Sequence, residues 1–560
     1  MDIYGRIEEI CSDSEFQEEV ISMLTEICEI DTTPNVDVSV MREKETAVFE
    51  ILEKRLSALN SIGGKTEREP VNPEIQNHPA FSLLHFTKTK ERPEGLSAEE
   101  VYDGRFNLLY KFDGAPSDTG RNAAMNAHID VVAPFIPPKR DGDKLFGRGS
   151  IDDKGAIATM IGALKILDTL SSEGLVELKN KLTAMFVIEE ETGGNGSLSL
   201  ALDRELRKRY DSIMVLECAD NRVYPANRGA VWFKCALDAT GSSVSLLEAM
   251  VFAILAARAE GAVIKSESEH ALFPHRPVQT CNGIIGPFGE HPSRICGQVE
   301  LTLKSDALDE SAIVAEIDSA VAEYISLYGD KTLETDPATN KPKVERHYEI
   351  SAVSAGVFKI TVNGSTGHMG SILENDDAIL KFAHIARNLI ELKYSKGTEL
   401  EITLEGFDSS KELELEGGQG FLPTHKIESV MSRIETAFKN GVEEYWDLSG
   451  ASSDTLNVKV SYDKLHNAAF DGDPNSPSFI NAKTAAVKAG MIDDDAEIRG
   501  WDVSCDARLF ATEYPEMPVI TSGPGGLKYA HADNENLHIP DLFKSIRFLV
   551  DYLLKETGSE

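Results

Sequence analysis

Apolar positions recur with helical spacing across residues 15–30 and 43–60, and DTTPN at 31–35 reads as a turn between the two. Residues 60–104 lose that periodicity, are rich in Pro, Glu and His, and predict a loop or small insertion. Beyond them strands and helices alternate. NLLYKF (107–112) and NAAMNAHIDVV (122–132) are apolar runs of strand length, followed by the amphipathic helical stretch AIATMIGALKILDTL (156–170). KLTAMFVIEEE (181–191) predicts a strand, SLSLALDRELRKRY (197–210) a helix and SIMVLE (212–217) another strand. This rhythm predicts an α/β sheet domain.

Near residue 230 the pattern changes. Amphipathic helices then mix with alternating strands such as QVELTL, VFKITV and ELEITL, which predicts an α+β insertion. The α/β pattern returns with SPSFINAKTAAVKAG, EMPVITSG and DLFKSIRFLVDYLL. The expected organisation is a catalytic domain split between 1–232 and 462–560, interrupted by a lid at 233–461. Within the lid, VWFKCALDATGSSVSLLEAMVFAILAAR and GVFKITVNGSTGHMGSILENDDAILKFAHIARNLI share a strand, a Gly-rich turn and a helix. The lid therefore reads either as two similar subdomains or as two unrelated units of a common kind.

Length adds that 560 residues exceed one ordinary core. Charge changes the picture more: 93 acidic against 56 basic residues give a net charge of −37. Such a surface repels nucleic acid and anionic membranes, so neither is expected as a partner. The seven cysteines are scattered, with no C-x-x-C pair, and predict reduced, buried thiols in a cytoplasmic protein. MDIYGRIEEICSDSEF lacks the basic start and apolar core of a signal peptide. No apolar run approaches the ~18 residues of a spanning helix.

Candidate chemistry gathers at the ends of the predicted strands, where open α/β sheets place their sites. His128 and Asp130 end one apolar run, and Asp152 sits at the Gly-rich turn GRGSIDDKG before a helix. A neutral imidazole and a carboxylate from adjacent strand ends suit a hydrolytic zinc site, with Asp130 fixing the tautomer of the His128 ring. Glu189, Glu190 and Glu191 follow the run AMFVI. Alone they read as a solvated acidic turn; beside a cation, one can bind metal while its neighbour acts as general base. Glu217 ends SIMVLE with Asp220 just behind, and His531 lies in GPGGLKYAHADNEN.

In this order HxD, GRGxxDxKG, EExGGxG, a later acid and a late HxxNE resemble the co-catalytic zinc metallopeptidases, the family of carnosinases and related dipeptidases, aminoacylases, acetylornithine deacetylase and succinyl-diaminopimelate desuccinylase. The resemblance covers about residues 20–230 and 475–550. It implies a phosphorylase/hydrolase-like zinc peptidase catalytic domain, a mixed sheet flanked by helices, with an inserted α+β lid. It further implies two zinc ions, with manganese or cobalt as alternatives, held by His128, Asp152, Glu191, Glu217 and His531, with Asp152 bridging. Glu190 matches the general base and Asp130 the residue that orients His128. Asp220 is the alternative to Glu217. The family's bond between Asp152 and Asp153 tends to be cis, Glu535 falls in the HxxNE stretch, and CDARLF, with Asp506 and Arg508, looks like a strand near the site.

In GSTGHMGSILENDDA, His368 matches a lid residue that donates a hydrogen bond to the developing oxyanion. Lys304, Arg276 and Arg294 are the alternatives for binding a substrate carboxylate, and GGQGFLPTH (417–425) has no counterpart in the family. The implied activity is hydrolysis of an amide bond in a small peptide by a dipeptidase. The alternatives are a deacylase of N-acyl amino acids and, from another class, an inactive binding protein on the same fold. A monomer is the expected assembly, with a homodimer as the alternative.

Overall fold

All residues of the strands Ala123–His128 and Ser212–Leu216 are buried, as unbroken apolar runs require of strands covered on both faces. The computed structural model describes residues 2–239, 244–290, 292, 294–335, 341–367, 376–452, 455–462, 466–532 and 534–559. They fall into two compact units, residues 1–228 with 467–560, and residues 229–466.

The first unit is built on a mixed seven-stranded sheet. Its spatial order is Lys65–Pro70, Phe106–Asp113, Lys181–Val187, Ala123–His128, Ser212–Leu216, Val519–Ser522 and Val223–Tyr224. The four strands from Lys181–Val187 to Val519–Ser522 run parallel, and the outer ones are antiparallel. Side chains alternate between two apolar layers, as the two-residue period of a strand dictates. Ala123, Met125 and Ala127 pack with Ile157, Leu164, Ile546 and Leu549 of the helices Lys154–Ser172 and Ile539–Thr557. Ala124, Ile213 and Val215 face the other way, onto Leu206, Tyr210 and Phe510.

Three segments differ from the sequence expectation. Lys65–Pro70 is an antiparallel edge strand inside the predicted loop. Its side chains are almost all exposed, so no apolar alternation marks it. The stretch 197–210 breaks into two short helices, Asn195–Ala201 and Arg204–Arg207, because the Asp203 carboxylate caps the second and interrupts the first. CDARLF is not a strand. Asp506 precedes the helix Ala507–Glu513, whose Ala, Arg and Leu favour that state over an extended one.

In the second unit, strands Thr280–Ile285, Glu412–Phe421, Gly229–Ala239 and Leu456–Ser461 pair antiparallel in that order. A separate antiparallel sheet orders Tyr348–Ser354, Val357–Asn363, Gln298–Lys304 and Glu401–Leu404. Strand Gly229–Ala239 leads to helix Leu246–Glu267, and strand Val357–Asn363 to helix Ala378–Lys396. The GGQGFLPTH segment has a packing explanation. A β-carbon on Gly417 would lie 2.3 Å from the Cys281 carbonyl oxygen, and the buried Gln419 Oε1 accepts from Thr280 Oγ1 at 2.6 Å. Among the described residues no helix is long and apolar enough to cross a membrane. All seven cysteines are buried and none forms a disulfide.

Candidate metal centre

The parallel strands deliver their chemistry at one edge of the sheet. His128 is the last residue of its strand, Glu217 directly follows Ser212–Leu216, and Glu190 and Glu191 lie in the turn after Lys181–Val187. Asp152 comes from the turn before helix Lys154–Ser172, and His531 from the segment after Val519–Ser522. The Asp152–Asp153 peptide bond is cis.

Two groups of possible ligands result: His128, Asp152 and Glu217, and Asp152, Glu191 and His531, each with its ligand atoms within 4.8 Å of one another. Asp152 belongs to both. Its Oδ1 lies 3.2 Å from His128 Nε2 and its Oδ2 3.2 Å from His531 Nε2. Glu217 Oε1 is 3.9 Å from His128 Nε2, and Glu191 Oε2 is 3.1 Å from His531 Nε2. His128 Nε2 is buried with no well-aligned hydrogen-bond partner among the described residues. Two imidazoles and three carboxylates, one of them shared, form a donor set that fits two divalent ions of the zinc type. Asp220 lies in neither group.

Electrostatics point the same way. Burial pushes the Glu217 and Glu190 carboxyls well above their ordinary range, and raises Glu191 and Asp153 as well. Burial also acts on Asp152, but the neighbouring imidazoles of His128 and His531 outweigh it and hold this carboxylate below its usual range. Both imidazoles are held well above theirs against burial, His128 chiefly by Asp130 and Asp152, and His531 by Glu191 and Asp152.

The supports around the ligands are specific. Asp130 acts in two ways: its backbone carbonyl meets His128 Nδ1 at 3.0 Å, while its carboxylate accepts the amides of Glu190 at 3.1 Å and Glu191 at 3.0 Å. It thus ties one strand end to the next, and its carboxylate Oδ1 lies 3.4 Å from the same His128 Nδ1 that its carbonyl meets. Glu535 accepts the amides of Gly149 at 2.9 Å and of Ile151 and Asp152 at 3.2 Å, and receives Arg148 Nη1 at 2.5 Å. Arg148 also reaches the carbonyl of Ala532, next to His531. One buried ion pair therefore joins the Asp152 turn to the His531 segment. Sequence reasoning placed Glu535 near the site without seeing this clamp, and it overlooked Arg148, whose signal was its place in GRGxxDxKG.

The three glutamates after Val187 separate. The Glu189 side chain turns into the interior, where Tyr102 and Arg105 donate to it. No hydrogen bond engages the Glu190 carboxylate among the described residues, and Asp506 is the neighbouring acid that, after burial, most raises its pKa. Asp506 is buried, and Arg508 beside it donates to the carbonyls of Cys505 and Gly193. His368 lies outside the described residues. Lys304, Arg276 and Arg294 each pair with an acid of their own unit, Glu401, Glu269 and Glu290.

Comparison with known proteins places the chain in a family. Residues 124–555 match the model of peptidase family M20/M25/M40. A peptidase M20 domain-containing protein of Schizosaccharomyces pombe is 32% identical over 186 residues, covering 32% of this chain and 40% of that protein. A probable carboxypeptidase of Neosartorya fischeri is 29% identical over 153 residues, 24% of this chain and 33% of its own length. The chain thus spans about two fifths or less of these relatives. Two solved structures share the fold, each with a TM-score of 0.54: human carnosine dipeptidase 1, 12% identical with 99% of both chains covered, and the di-peptidase Dug1p of Saccharomyces cerevisiae, 15% identical with 100% of this chain and 98% of the other covered. With residues 124–555 of its 560 matched to the family model, the chain belongs to peptidase family M20/M25/M40.

Proposed function

We propose that this chain is a metal-dependent hydrolase that cleaves the amide bond of a small peptide, acting as a dipeptidase. The observation that carries the reading is the pair of ligand groups sharing Asp152, with the unengaged carboxylate of Glu190 beside them. His128, Asp152 and Glu217 would hold one divalent ion, and Asp152, Glu191 and His531 the other; zinc is the metal this donor set favours. When bound, such a pair polarises a carbonyl and lowers the pKa of a water. Glu190 takes a proton from the attacking water on its carboxylate as the water oxygen bonds to the amide carbon, and returns it to the leaving nitrogen as the carbon–nitrogen bond breaks. Burial, which raises the affinity of Glu190 for a proton, suits a group that must accept one and then give it up. Asp130 keeps Glu190 and Glu191 in register with His128 through the two backbone amides it accepts.

The dipeptidases that share the fold and the probable carboxypeptidases among the relatives favour a peptide substrate. The test is a substrate panel of dipeptides, longer peptides and N-acetyl or N-succinyl amino acids. Turnover of dipeptides that disappears with a chelator and returns with zinc is expected. Preference for the N-acyl amino acids would make the chain a deacylase, and turnover untouched by the chelator would end the metal-dependent reading.

A second expectation concerns the Glu535 clamp. Glu535→Gln keeps the volume but loses the charge facing Arg148 and the strong acceptor for three amides of the Asp152 turn. Outer partners of metal ligands are typically worth about 10- to 100-fold in metal affinity or activity. Competition with a chromophoric chelator should show zinc held that much more weakly, and unchanged retention would remove Glu535 from the ligand support.

A further inference from the structure

Glu189 is a residue with a β-carbon held at φ 65°, in the left-handed region that such residues seldom occupy. What holds it there comes from outside the residues matched to the family, which begin at 124. Tyr102, the last residue of the short helix Ala98–Tyr102, donates its hydroxyl to Glu189 Oε2 at 2.7 Å. Arg105 donates Nη1 to Glu189 Oε1 and spans Glu45 on its other side, with Nε to Oε2 at 2.9 Å and Nη2 to Oε1 at 2.5 Å. The Arg105 side chain is 0% exposed and that of Glu189 1%. Moving Glu189 away from this buried guanidinium would leave an uncompensated buried charge, so the pair ties Glu189 to Arg105.

The turn that Glu189 opens is the one that carries Glu190 and Glu191. It is closed by Gly193 N to Glu190 O at 2.8 Å and Gly194 N to Glu189 O at 2.6 Å. The segment that brings in Tyr102 and Arg105 grips its far side too: Ser82 N donates to Asn195 Oδ1 at 3.0 Å and Ser82 Oγ to the Gly193 carbonyl at 3.1 Å.

We propose that Arg105 and Tyr102 are positioning residues for the hydrolysis, which hold Glu189 so that its turn presents Glu190 to the water and Glu191 to the metal. The inference rests on the reading of Glu190 as the base. The residues 73–105 then have a task that no stability argument assigns: they set the register of three consecutive glutamates, so that the first faces the interior and the next two face the ligand groups.

Tyr102→Phe removes one donor and keeps the ring. Arg105→Lys keeps the charge and loses the fork. Both are measured for melting temperature, zinc retention against a chelator, and kcat and KM on the best dipeptide of the panel. Expected for folded Tyr102→Phe is a kcat lower by about 10-fold with KM unchanged, zinc held more weakly by a similar factor, and a larger loss for Arg105→Lys, within the range of outer partners. At saturating zinc, adding Tyr102→Phe to Glu190→Gln should lower kcat by less than it does in the parent chain, because one of the two groups it aims is already gone. A merely structural role would lower the melting temperature and leave kcat and zinc retention alone, and that result overturns the proposal. Should Arg105→Lys fail to fold, Tyr102→Phe decides. If Glu190→Gln itself turns over normally, the base reading falls. Zinc retention then decides the positioning of Glu191 independently: a weaker hold in Tyr102→Phe upholds it and an unchanged hold overturns it.

Discussion

Glu190→Gln should lower kcat by about 100- to 10,000-fold, the usual effect of removing a general base, while the chain keeps two divalent ions. The expectation follows from the separation of three chemically identical side chains. Glu189 is consumed by Arg105 and Tyr102, Glu191 faces His531, and Glu190 alone is left without a hydrogen bond among the described residues. The amide of Gln matches the carboxylate in size, so the Glu190 and Glu191 amides can still bond to Asp130 and the ligands stay in place. Steady-state rates paired with elemental analysis read both halves of the claim. Normal turnover in Glu190→Gln, with a dead but metal-loaded Glu189→Gln, would move the base one residue back.

Asp152→Asn should do more, because Asp152 alone serves both ligand groups. The Asn side chain offers one oxygen, so its nitrogen must face either the His128 or the His531 side, where Asp152 now presents Oδ1 and Oδ2 at 3.2 Å. It also removes the one ligand carboxylate held below its usual range, so that Glu191 and Glu217, which burial raises, are the only acids left in the two groups. Zinc affinity should fall by more than about 100-fold, beyond what the loss of an outer partner costs, and turnover should fall to background. Calorimetric titration with zinc would show it. An Asp152→Asn protein that still binds two ions tightly would mean that the two groups do not share this carboxylate.

The parallel strands were legible because being covered on both faces leaves a continuous apolar run, and the residues with chemistry sit where such runs stop. The family resemblance implied His128, Asp152, Glu191, Glu217 and His531 as ligands, and the structure gathers them into two groups of three that share Asp152. Short-range pattern failed where contacts are long-range or where no face is buried. The edge strand Lys65–Pro70 shows water on nearly every residue, so no alternation announces it. Arg105 meets Glu45 and Glu189 across sixty and eighty-four residues, and no spacing rule links those positions. Glu189, Glu190 and Glu191 are indistinguishable as letters; only the partner of each carboxylate tells them apart. CDARLF misled because its resemblance to a strand motif outweighed the helical preference of its own residues.

The placement of His531 has a consequence in time. His128, Asp152 and Glu217 all precede residue 229, whereas His531 follows the whole of the second unit. During synthesis at ordinary elongation rates, roughly half a minute separates Glu217 from His531 on the ribosome. In that interval one triad has all its donors and the other has only Asp152 and Glu191. On the proposed reading, the donors of one ion position are therefore all synthesised before the last donor of the other leaves the ribosome.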